Sequence, residues 1–292
     1  LSIGHLSKNF KDYYRTGSKF GVKITFVEEE IPAGTGGALK KCSNLLHRYF
    51  ILINGDTIFD INYHDLAYSF QKDKIGHIAL NLVNDSERYG KVHTDGSTII
   101  SFEEKTKNGS GYINSGVAIF DKKILDYITT ENASLEKDVY QKLLKKRLLS
   151  AKKYNSFFLD IGTPKSLEEA QVKIPKWKSK SALFLDRDGV INIDYGYVNS
   201  MRKFKFIDGA KETIKMANDL GILVLVVTNQ SGIARGFYTE EEFKSFTLEI
   251  NDTLKKYGAH IDATYFCPHH PLEGKGDLRK DCECRKPKPG MI

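Results

Sequence analysis

The sequence predicts two α/β domains in succession, residues 1–172 and 182–292, joined by a linker at 173–181. Its 292 residues exceed one typical domain and suit two, each large enough to bury its own core. Strand and helix patterns alternate through both halves of the chain. Between the halves, the stretch VKIPKWKSKS contains four lysines and a proline and lacks apolar periodicity, which is typical of a linker.

In the first domain, apolar and β-branched runs predict strands, and apolar residues at helical spacing predict helices. The predicted strands are Val22–Val27, Tyr49–Ile53, His77–Val83, Ile99–Phe102, Tyr112–Phe120 and Ser156–Asp160. The predicted helices are Gly37–Leu46 and Leu135–Lys146. This alternation predicts an α/β domain.

The second domain opens with Ala182–Leu185, a short apolar strand followed by an acidic residue. A helical pattern covers Asp208–Leu220, and Gly221–Val227 is a β-branched run typical of a strand buried on both faces. Thr239 and Glu242 have the spacing of a capping box, which predicts the start of another helix. Strand, helix and strand in this order predict a parallel sheet.

Composition limits the classes of function. The chain is 40% hydrophobic and 28% charged, which is ordinary for a globular protein. Its apolar stretches fall short of the roughly 20 residues that a membrane span needs, and no signal peptide opens the chain, so we expect a cytoplasmic protein with no membrane partner. The lysines behind the net charge of +7 are spread over helical segments, so we expect anionic metabolites as partners and no nucleic acid.

Two carboxylates, Asp186 and Asp188, follow the first strand of the second domain. Ligands bind at this end of the strands in open α/β sheets. Asp186 can attack phosphorus to form an aspartyl-phosphate. Asp188 can protonate the leaving alcohol and then activate water, which is worth about 10²- to 10⁴-fold. Because two carboxylates repel a phosphate dianion, we expect Asp186 and Asp188 to share a Mg²⁺ ion.

Further groups suited to phosphate follow in chain order. The second buried strand ends in TNQS, which places a hydroxyl and backbone N–H groups at a helix start: Thr228, Asn229, Gln230 and Ser231. Arg285 and Lys286 supply positive charge for the transferring group. The motifs FLDRDG, VVTNQSG and CRKP resemble the first three motifs of the haloacid dehalogenase-type phosphatases in the same order. The resemblance implies that Thr228 and Lys286 stabilise the phosphoryl group.

Residues near the end of the chain have metal-ligand spacing. The segments CPH and CEC offer three sulfurs and one imidazole as two close pairs, separated by a polar loop. A closed tetrahedral Cys₃His set is typical of structural zinc, which can supply about 10 kcal/mol of folding free energy. We therefore predict zinc ligated by Cys267, His269, Cys282 and Cys284, with a disulfide and a spare thiol as the alternative.

Residues 183–291 resemble the D-glycero-D-manno-heptose 1,7-bisphosphate 7-phosphatases almost continuously, through FLDRDGVIN, DYGYV, FIDGA, VVTNQSGIARG, YFCPHHP and CECRKPKPGM. The resemblance implies a haloacid dehalogenase-type parallel-sheet domain with a zinc loop, in which Asp186 is the nucleophile and Asp188 the acid and base. It also implies that the substrate is bound by Arg285 and by the DxGY segment, Asp194, Tyr195, Gly196 and Tyr197. Histidinol-phosphate phosphatases share the zinc loop and are the alternative within the family.

Two features of the first domain predict a nucleotide site. The glycine-rich stretch PAGTGGA leads into a helix, where close backbone approach and the helix start favour a base or a phosphate. Asp56 and Asp160 each lie at the carboxyl end of a predicted strand. Two such acids can hold one Mg²⁺ that bridges a nucleoside triphosphate and a sugar phosphate.

The stretches GTGGA, INGDT, RYGKV, FEEK, YINSGVAIF and FLDIGTP resemble the sugar-1-phosphate nucleotidyltransferases, nearest to those that make GDP-D-glycero-α-D-manno-heptose. The resemblance implies a mixed-sheet, Rossmann-like domain in which Asp56 and Asp160 hold Mg²⁺. It implies that Gly36 and Gly37 border the nucleotide and that a sugar pocket is lined by Gly90, Glu104, Lys105 and Asn114. The choice of GTP rests on this resemblance alone.

The two resemblances together imply that a heptose is activated in two steps, because removal of the 7-phosphate yields heptose 1-phosphate, the substrate of such a nucleotidyltransferase. The alternative is a sugar phosphatase fused to a catalytically silent first domain that binds sugar nucleotides and regulates it. The triphosphate loop of one family and the last acidic motif of the other are missing from the sequence. We therefore expect that both ends are truncated and that the stretch as given binds Mg²⁺ poorly.

Overall fold

The structure is a computed structural model that describes residues 1–84, 86, 89–103 and 109–292. The chain divides into two compact units. Unit 1 comprises Leu1–Phe59 and Phe70–Phe158, and unit 2 comprises Asp60–Ser69 and Leu159–Ile292. Both units contain strands and helices, so the predicted α/β class is confirmed. No helix in the described part of the chain combines the length and the apolar character that a membrane span requires.

The secondary-structure elements are numbered along the chain. The strands are β1 (Ser2–Ile3), β2 (Val27–Glu28), β3 (Tyr49–Ile53), β4 (Thr57–Phe59), β5 (Gly76–Val83), β6 (Val92–Asp95), β7 (Thr98–Phe102), β8 (Gly111–Asp121), β9 (Leu149–Tyr154), β10 (Phe158–Asp160), β11 (Ala182–Leu185), β12 (Leu223–Asn229) and β13 (Ala263–Cys267). The α-helices are α1 (Ser7–Tyr14), α2 (Gly34–Lys41), α3 (Tyr63–Tyr68), α4 (Tyr140–Lys145), α5 (Pro164–Lys178), α6 (Ala210–Asp219), α7 (Ser231–Arg235) and α8 (Glu240–Lys255). Short 3₁₀ segments lie at Ser18–Phe20, Ser43–Leu45, Lys122–Tyr127 and Gly276–Leu278.

Unit 1 is built on a six-stranded sheet with the strand order β3-β8-β5-β9-β7-β6. β8 runs antiparallel to β3 and β5, whereas β5 and β9 are parallel, so the sheet is mixed as predicted. Side chains from the central strands form the core, and Ile78, Leu80, Phe120 and Leu149 are fully buried there. The predicted strands other than Val22–Val27 fall within or overlap observed strands.

Some predicted elements of unit 1 differ from the structure. Of the predicted strand Val22–Val27, only the last residue lies in a strand, because left-handed glycines at Gly17 and Gly21 form turns before it and Val22 is exposed. The glycine-rich stretch is the first part of α2 rather than a loop before it. The predicted helix Leu135–Lys146 is present as one π-helical stretch followed by α4.

Unit 2 contains a three-stranded parallel sheet with the order β11-β12-β13, as the sequence predicts for its first two strands. α8 begins at the predicted capping box of Thr239 and Glu242. Its buried side chains recur at helical spacing and face the core of the unit: Phe243, Phe246, Ile250 and Leu254. Because β11, β12 and β13 are parallel, their carboxyl ends lie at the same edge of the sheet, and the candidate site lies at this edge.

The stretch predicted as a linker is helical as far as Lys178. α5 begins with Thr163 as N-cap, Pro164 at its first position and a capping box formed with Ser166. The helix continues through the proline of the predicted linker. Only Ser166 and Ala170 of this helix are buried, so its sequence lacks the apolar stripe from which helices are predicted.

A ten-residue segment, Asp60–Ser69, belongs to unit 2 although it lies among residues of unit 1 in sequence. The Asn62 amide donates to Asp219 Oδ1 at 2.9 Å and to the Gly258 carbonyl at 2.7 Å. Lys215 Nζ donates to Asp65 Oδ1 at 2.6 Å and to Asp219 Oδ2 at 2.5 Å. Charged and amide groups thus hold this segment in unit 2. Its stability there depends on these hydrogen bonds as well as on apolar burial.

We expect Lys215→Met to destabilise unit 2. The substitution removes the ion pair that Lys215 forms with the carboxylate of Asp65, which is 2% exposed, and we expect the free energy of unfolding to fall by about 2 kcal/mol. Trp177, the single tryptophan, bonds to Asp60 Oδ2 at 2.8 Å, so urea unfolding followed by its fluorescence measures the loss.

The matched control is Lys244→Met, because Lys244 pairs with Glu240 on the exposed side of α8. Exposed pairs contribute little, so we expect this control to leave the free energy of unfolding unchanged within the error of the measurement. Equal small effects of both substitutions would contradict a structural role for the buried Asp65 pair.

Candidate active site

A cavity of about 410 Å³ opens in unit 2 at the carboxyl ends of β11 and β12. Its lining residues are Asp186, Asp188, Asp194, Gly196, Tyr197, Thr228, Asn229, Gln230, Ser231 and Tyr238. β11 and β12 are parallel with Leu185 opposite Val226, so the residues that follow each strand meet at one edge of the sheet. Parallel pairing is thus the physical reason why two distant sequence motifs form one site.

The carboxylate of Asp186 is paired with Lys286. Lys286 Nζ lies 2.6 Å from Asp186 Oδ2, and the backbone N–H of Arg187 donates to Asp186 Oδ1 at 2.8 Å. Lys286 is held in place because its Nζ donates to the Val227 carbonyl at 2.8 Å. Its backbone N–H also donates to Asn229 Oδ1 at 3.0 Å. The ion pair keeps a cation beside the oxygen that would attack phosphorus.

The carboxylate of Asp188 accepts hydrogen bonds from three side chains. Arg187 reaches both of its oxygens, at 3.0 Å for Oδ1 and 2.8 Å for Oδ2. Asn192 donates to Oδ1 at 3.0 Å, and Gln230 donates to Oδ2 at 3.0 Å. Arg187 and Asn192 are buried, so the orientation of Asp188 is fixed by groups with little freedom of their own.

A sharp turn shapes the wall of the cavity after Asp188. The backbone N–H of Gly196 donates to Asp194 Oδ1 at 2.8 Å, and the turn continues into Tyr197, which has a left-handed φ of 51°. The ring of Tyr197 packs edge-on against Phe237, with centroids 4.7 Å apart. Of the four residues predicted to bind the sugar, three line the cavity, whereas Tyr195 is 60% exposed and is not among the lining residues.

Three sulfurs and one imidazole nitrogen converge near the end of β13. The Sγ atoms of Cys267, Cys282 and Cys284 are 3.2 to 3.5 Å apart, and His269 Nδ1 is 3.3 Å from Cys284 Sγ. All four ligand atoms lie within 4.8 Å of one another. These distances suit a tetrahedral ion and are far longer than an S–S bond of about 2.05 Å, so the disulfide alternative is not realised.

The donor set fits a soft divalent cation. Burial raises the pKa of the Cys267 thiol to about 12, so a nearby cation is needed to hold it as thiolate. The second pair of sulfurs directly precedes Arg285 and Lys286, and Arg285 donates to the His269 carbonyl at 3.1 Å. A metal in this cluster would therefore anchor the segment that brings Lys286 to Asp186. Arg285 itself is not among the residues that line the cavity.

In unit 1, the predicted nucleotide glycines pack against another part of the chain. The N–H groups of Gly36 and Gly37 donate to the Ala133 carbonyl at 2.8 and 3.4 Å. A Cβ atom at Gly37 would lie 2.1 Å from the Glu131 carbonyl oxygen, so only glycine fits this contact. The two N–H groups therefore have a protein acceptor in this structure, and close packing requires glycine at position 37.

The other predicted nucleotidyltransferase residues are divided between the units. Asp56 is exposed in unit 1. Two residues before it, the Asn54 N–H donates to the Gly116 carbonyl at 2.8 Å, and Gly116 lies two residues after Asn114. A Cβ atom at Gly90 would lie 2.4 Å from the Glu103 carbonyl oxygen. Asp160 lies in unit 2 and accepts from the Gly162 N–H at 2.8 Å. The predicted sugar-pocket residues Glu104 and Lys105 lie outside the described residues.

Sequence reasoning missed three side chains that organise the cavity. Arg187 and Asn192 fall within the motif FLDRDGVIN, so their positions in that motif could have indicated a role. Tyr238 follows α7, and its hydroxyl donates to Gln230 Oε1 at 2.7 Å. No sequence signal indicates that contact, because it depends on where the chain returns after the helix.

Two groups of known proteins are similar to this chain. Residues 3–176 match the nucleotidyl transferase family. HddC from Yersinia pseudotuberculosis has a solved structure that is 32% identical, with a TM-score of 0.54 over 60% of this chain and 77% of that chain. The HddC structure complexed with GMP-PN is 31% identical, with a TM-score of 0.53 and the same coverage.

The second region matches curated phosphatases. The D-glycero-beta-D-manno-heptose-1,7-bisphosphate 7-phosphatase of Pasteurella multocida (strain Pm70) is 50% identical over 113 residues, which are 39% of this chain and 61% of the relative. The chain thus spans about three-fifths of the length of the curated relatives it matches. This chain belongs to the nucleotidyl transferase family and continues into a region homologous to the heptose-1,7-bisphosphate 7-phosphatases.

Proposed function

We propose that this chain carries two activities that act in turn on one heptose. The proposed phosphatase domain, residues 182–292, hydrolyses the 7-phosphate of D-glycero-D-manno-heptose 1,7-bisphosphate. The proposed nucleotidyltransferase domain, residues 1–172, then joins the resulting heptose 1-phosphate to a nucleotide from GTP. The observation that carries the phosphatase assignment is the ion pair of Lys286 with Asp186, which lines one cavity together with Asp188. The region is 50% identical to one such phosphatase.

The positions of these groups support the following course for the proposed phosphatase reaction. Asp186 Oδ2 attacks phosphorus, and the P–O bond to the sugar breaks. Asp188 gives a proton to the departing sugar oxygen and later removes one from the water that hydrolyses the aspartyl-phosphate. Lys286 and the Thr228 hydroxyl stabilise the charge on the phosphoryl oxygens. The turn at Asp194, Gly196 and Tyr197 contacts the sugar.

Two metals are part of this proposal. Asp186 and Asp188 would hold Mg²⁺, which neutralises charge between the carboxylates and the phosphate. The four clustered ligands would hold structural zinc: Cys267, His269, Cys282 and Cys284. Arg285, which follows this cluster directly in sequence, would contact the substrate from the anchored segment.

The nucleotidyl transfer is supported by the family and by the likeness to HddC, whose solved complex contains GMP-PN. By this proposal Asp56 and Asp160 hold a second Mg²⁺, and Gly36 and Gly37 border the nucleotide. The sugar pocket is lined by Gly90, Glu104, Lys105 and Asn114. Heptose 1-phosphate is the product of one reaction and the substrate of the other, which favours two active sites over a silent first domain.

The test is to incubate the full-length protein with heptose 1,7-bisphosphate and each nucleoside triphosphate in turn, and to follow phosphate and pyrophosphate separately. We expect phosphate in every mixture and pyrophosphate with GTP only. Histidinol phosphate is the comparison substrate, and faster hydrolysis of it would exclude the heptose assignment. Phosphate release without pyrophosphate from any triphosphate would exclude the nucleotidyl transfer and leave the phosphatase.

A further inference from the structure

We propose that Tyr238, acting through Gln230, is a positioning residue that holds Asp188 in place as the acid and base of the phosphatase reaction. The proposal rests on the proposed phosphatase function of this cavity. Both side chains are almost fully buried, Gln230 at 2% and Tyr238 at 5% exposure, and both line the cavity. Tyr238 takes no part in the proposed transfer of the phosphoryl group itself.

The hydrogen bonds of this group run from Tyr238 to Gln230 and from Gln230 to Asp188. The Gln230 amide nitrogen donates to Asp188 Oδ2 at 3.0 Å. The same nitrogen lies 2.9 Å from Thr228 Oγ1, and both of its hydrogens are therefore in use. The amide oxygen then faces the Tyr238 hydroxyl at 2.7 Å, and the hydroxyl donates.

The Tyr238 hydroxyl is what selects this orientation of the amide. In the opposite orientation the amide oxygen would face the Asp188 carboxylate, and the amide nitrogen would face the hydroxyl. Burial raises the pKa of Tyr238 to about 12, so the hydroxyl keeps its proton and remains a donor at neutral pH. Without that donor, Gln230 Oε1 loses its hydrogen bond from Tyr238, and fewer contacts set the orientation of the amide.

The position of the Tyr238 ring also depends on a glycine beside it. A Cβ atom at Gly232, in α7, would lie 2.4 Å from the Tyr238 ring, so glycine at this position lets the ring reach Gln230. Gln230 is fixed in turn because its backbone N–H donates to the Cys267 carbonyl at 2.8 Å. The chain thus places a tyrosine, an amide and the Asp188 carboxylate in a line of fixed hydrogen bonds.

The role of Asp188 as an acid suggests a selective test. In the first step, Asp186 attacks phosphorus, and the electrons of the broken P–O bond go to the leaving oxygen. A sugar alkoxide needs a proton from Asp188 at this point, whereas p-nitrophenolate leaves without one. Because kcat/KM reports on the steps up to this bond cleavage, a displaced Asp188 lowers kcat/KM for sugar phosphates more than for p-nitrophenyl phosphate.

The experiment compares Tyr238→Phe with wild-type protein on both substrates, using full-length protein. We expect kcat/KM for heptose 1,7-bisphosphate to fall about tenfold or more and that for p-nitrophenyl phosphate to fall less than about threefold. Gln230→Glu, which presents a carboxylate to Asp188, should show the same selectivity with a larger loss. Tyr265→Phe is the matched control, because Tyr265 on β13 is 46% exposed, and we expect no change.

The outcomes separate this proposal from the proposed function. Equal losses on both substrates, or no loss in either variant, overturn the positioning role, because general loss of folded protein reduces both rates alike. If wild-type protein hydrolyses another sugar phosphate but not the heptose bisphosphate, the proposed substrate is wrong. The variants are then compared with wild-type protein on that sugar phosphate and on p-nitrophenyl phosphate. Wild-type protein that hydrolyses no phosphate ester contradicts both.

Discussion

Replacing Asp186 with asparagine is expected to abolish phosphate release, with a fall in kcat of at least about 10³-fold. The amide has nearly the shape of the carboxylate, but it cannot attack phosphorus to form an aspartyl-phosphate. It also removes the charge that pairs with Lys286 at 2.6 Å. The measurement is the rate of phosphate release from heptose 1,7-bisphosphate, with thermal unfolding recorded on the same preparation.

Two controls accompany this substitution. Asp252→Asn removes a carboxylate of α8 that pairs with Lys255 at the surface, and we expect it to leave the rate unchanged. Pyrophosphate release from GTP and heptose 1-phosphate should also be unaffected in Asp186→Asn, because that reaction is assigned to other residues. Retained phosphate release in the asparagine variant would show that another group attacks phosphorus and would end the assignment of Asp186.

Removal of the proposed zinc from the cysteine cluster is expected to disorder the loop between His269 and Cys282 and to reduce phosphate release by at least about tenfold. Wild-type protein should contain about one zinc per chain by elemental analysis. In Cys284→Ser the zinc content should fall, and proteases should cut the loop faster. The rate falls because the segment that carries Lys286 begins directly after Cys284, and a displacement of about 1 Å at a reacting group can cost about 10²-fold.

The control is Cys42→Ser, which removes the cysteine that lies outside the cluster, and we expect it to retain zinc, loop protection and activity. The loss in Cys284→Ser should be local, because the main core of unit 2 is formed by other side chains, among them Ile214, Val226 and Phe246. Full activity in zinc-free protein would contradict the proposed link between the cluster and Lys286.

Local sequence signals predicted the parts of the fold that depend on local physics. The capping box at Thr239 and the β-branched run that forms β12 were sufficient, because a cap and a β-branched strand are encoded in a few neighbouring residues. α5 was missed because it is largely exposed, so its sequence is rich in lysine and has no apolar stripe. Its Thr163 and Pro164 were the signals that could have revealed it.

The candidate site was predictable as a set of residues but not as a network. The motif order placed Asp186, Asp188 and Thr228 together, since strands of a parallel sheet end on one side. The hydrogen bond between Tyr238 and Gln230 could not be inferred, because it depends on the path of the chain after α7. For the same reason, the contact of Asn62 with Gly258, which lie 196 residues apart in sequence, has no local signal.

The segment Asp60–Ser69 has a consequence for how such a gene can be divided. A fragment cut at the obvious junction between the two homologous regions would begin near residue 182 and would lack the helix whose Asp65 pairs with Lys215. In such a fragment Lys215, Asp219 and Gly258 would lose the hydrogen bonds that Asn62 and Asp65 make with them. A fragment for the study of unit 2 therefore needs residues 60–69 as well as the region from residue 159 onward.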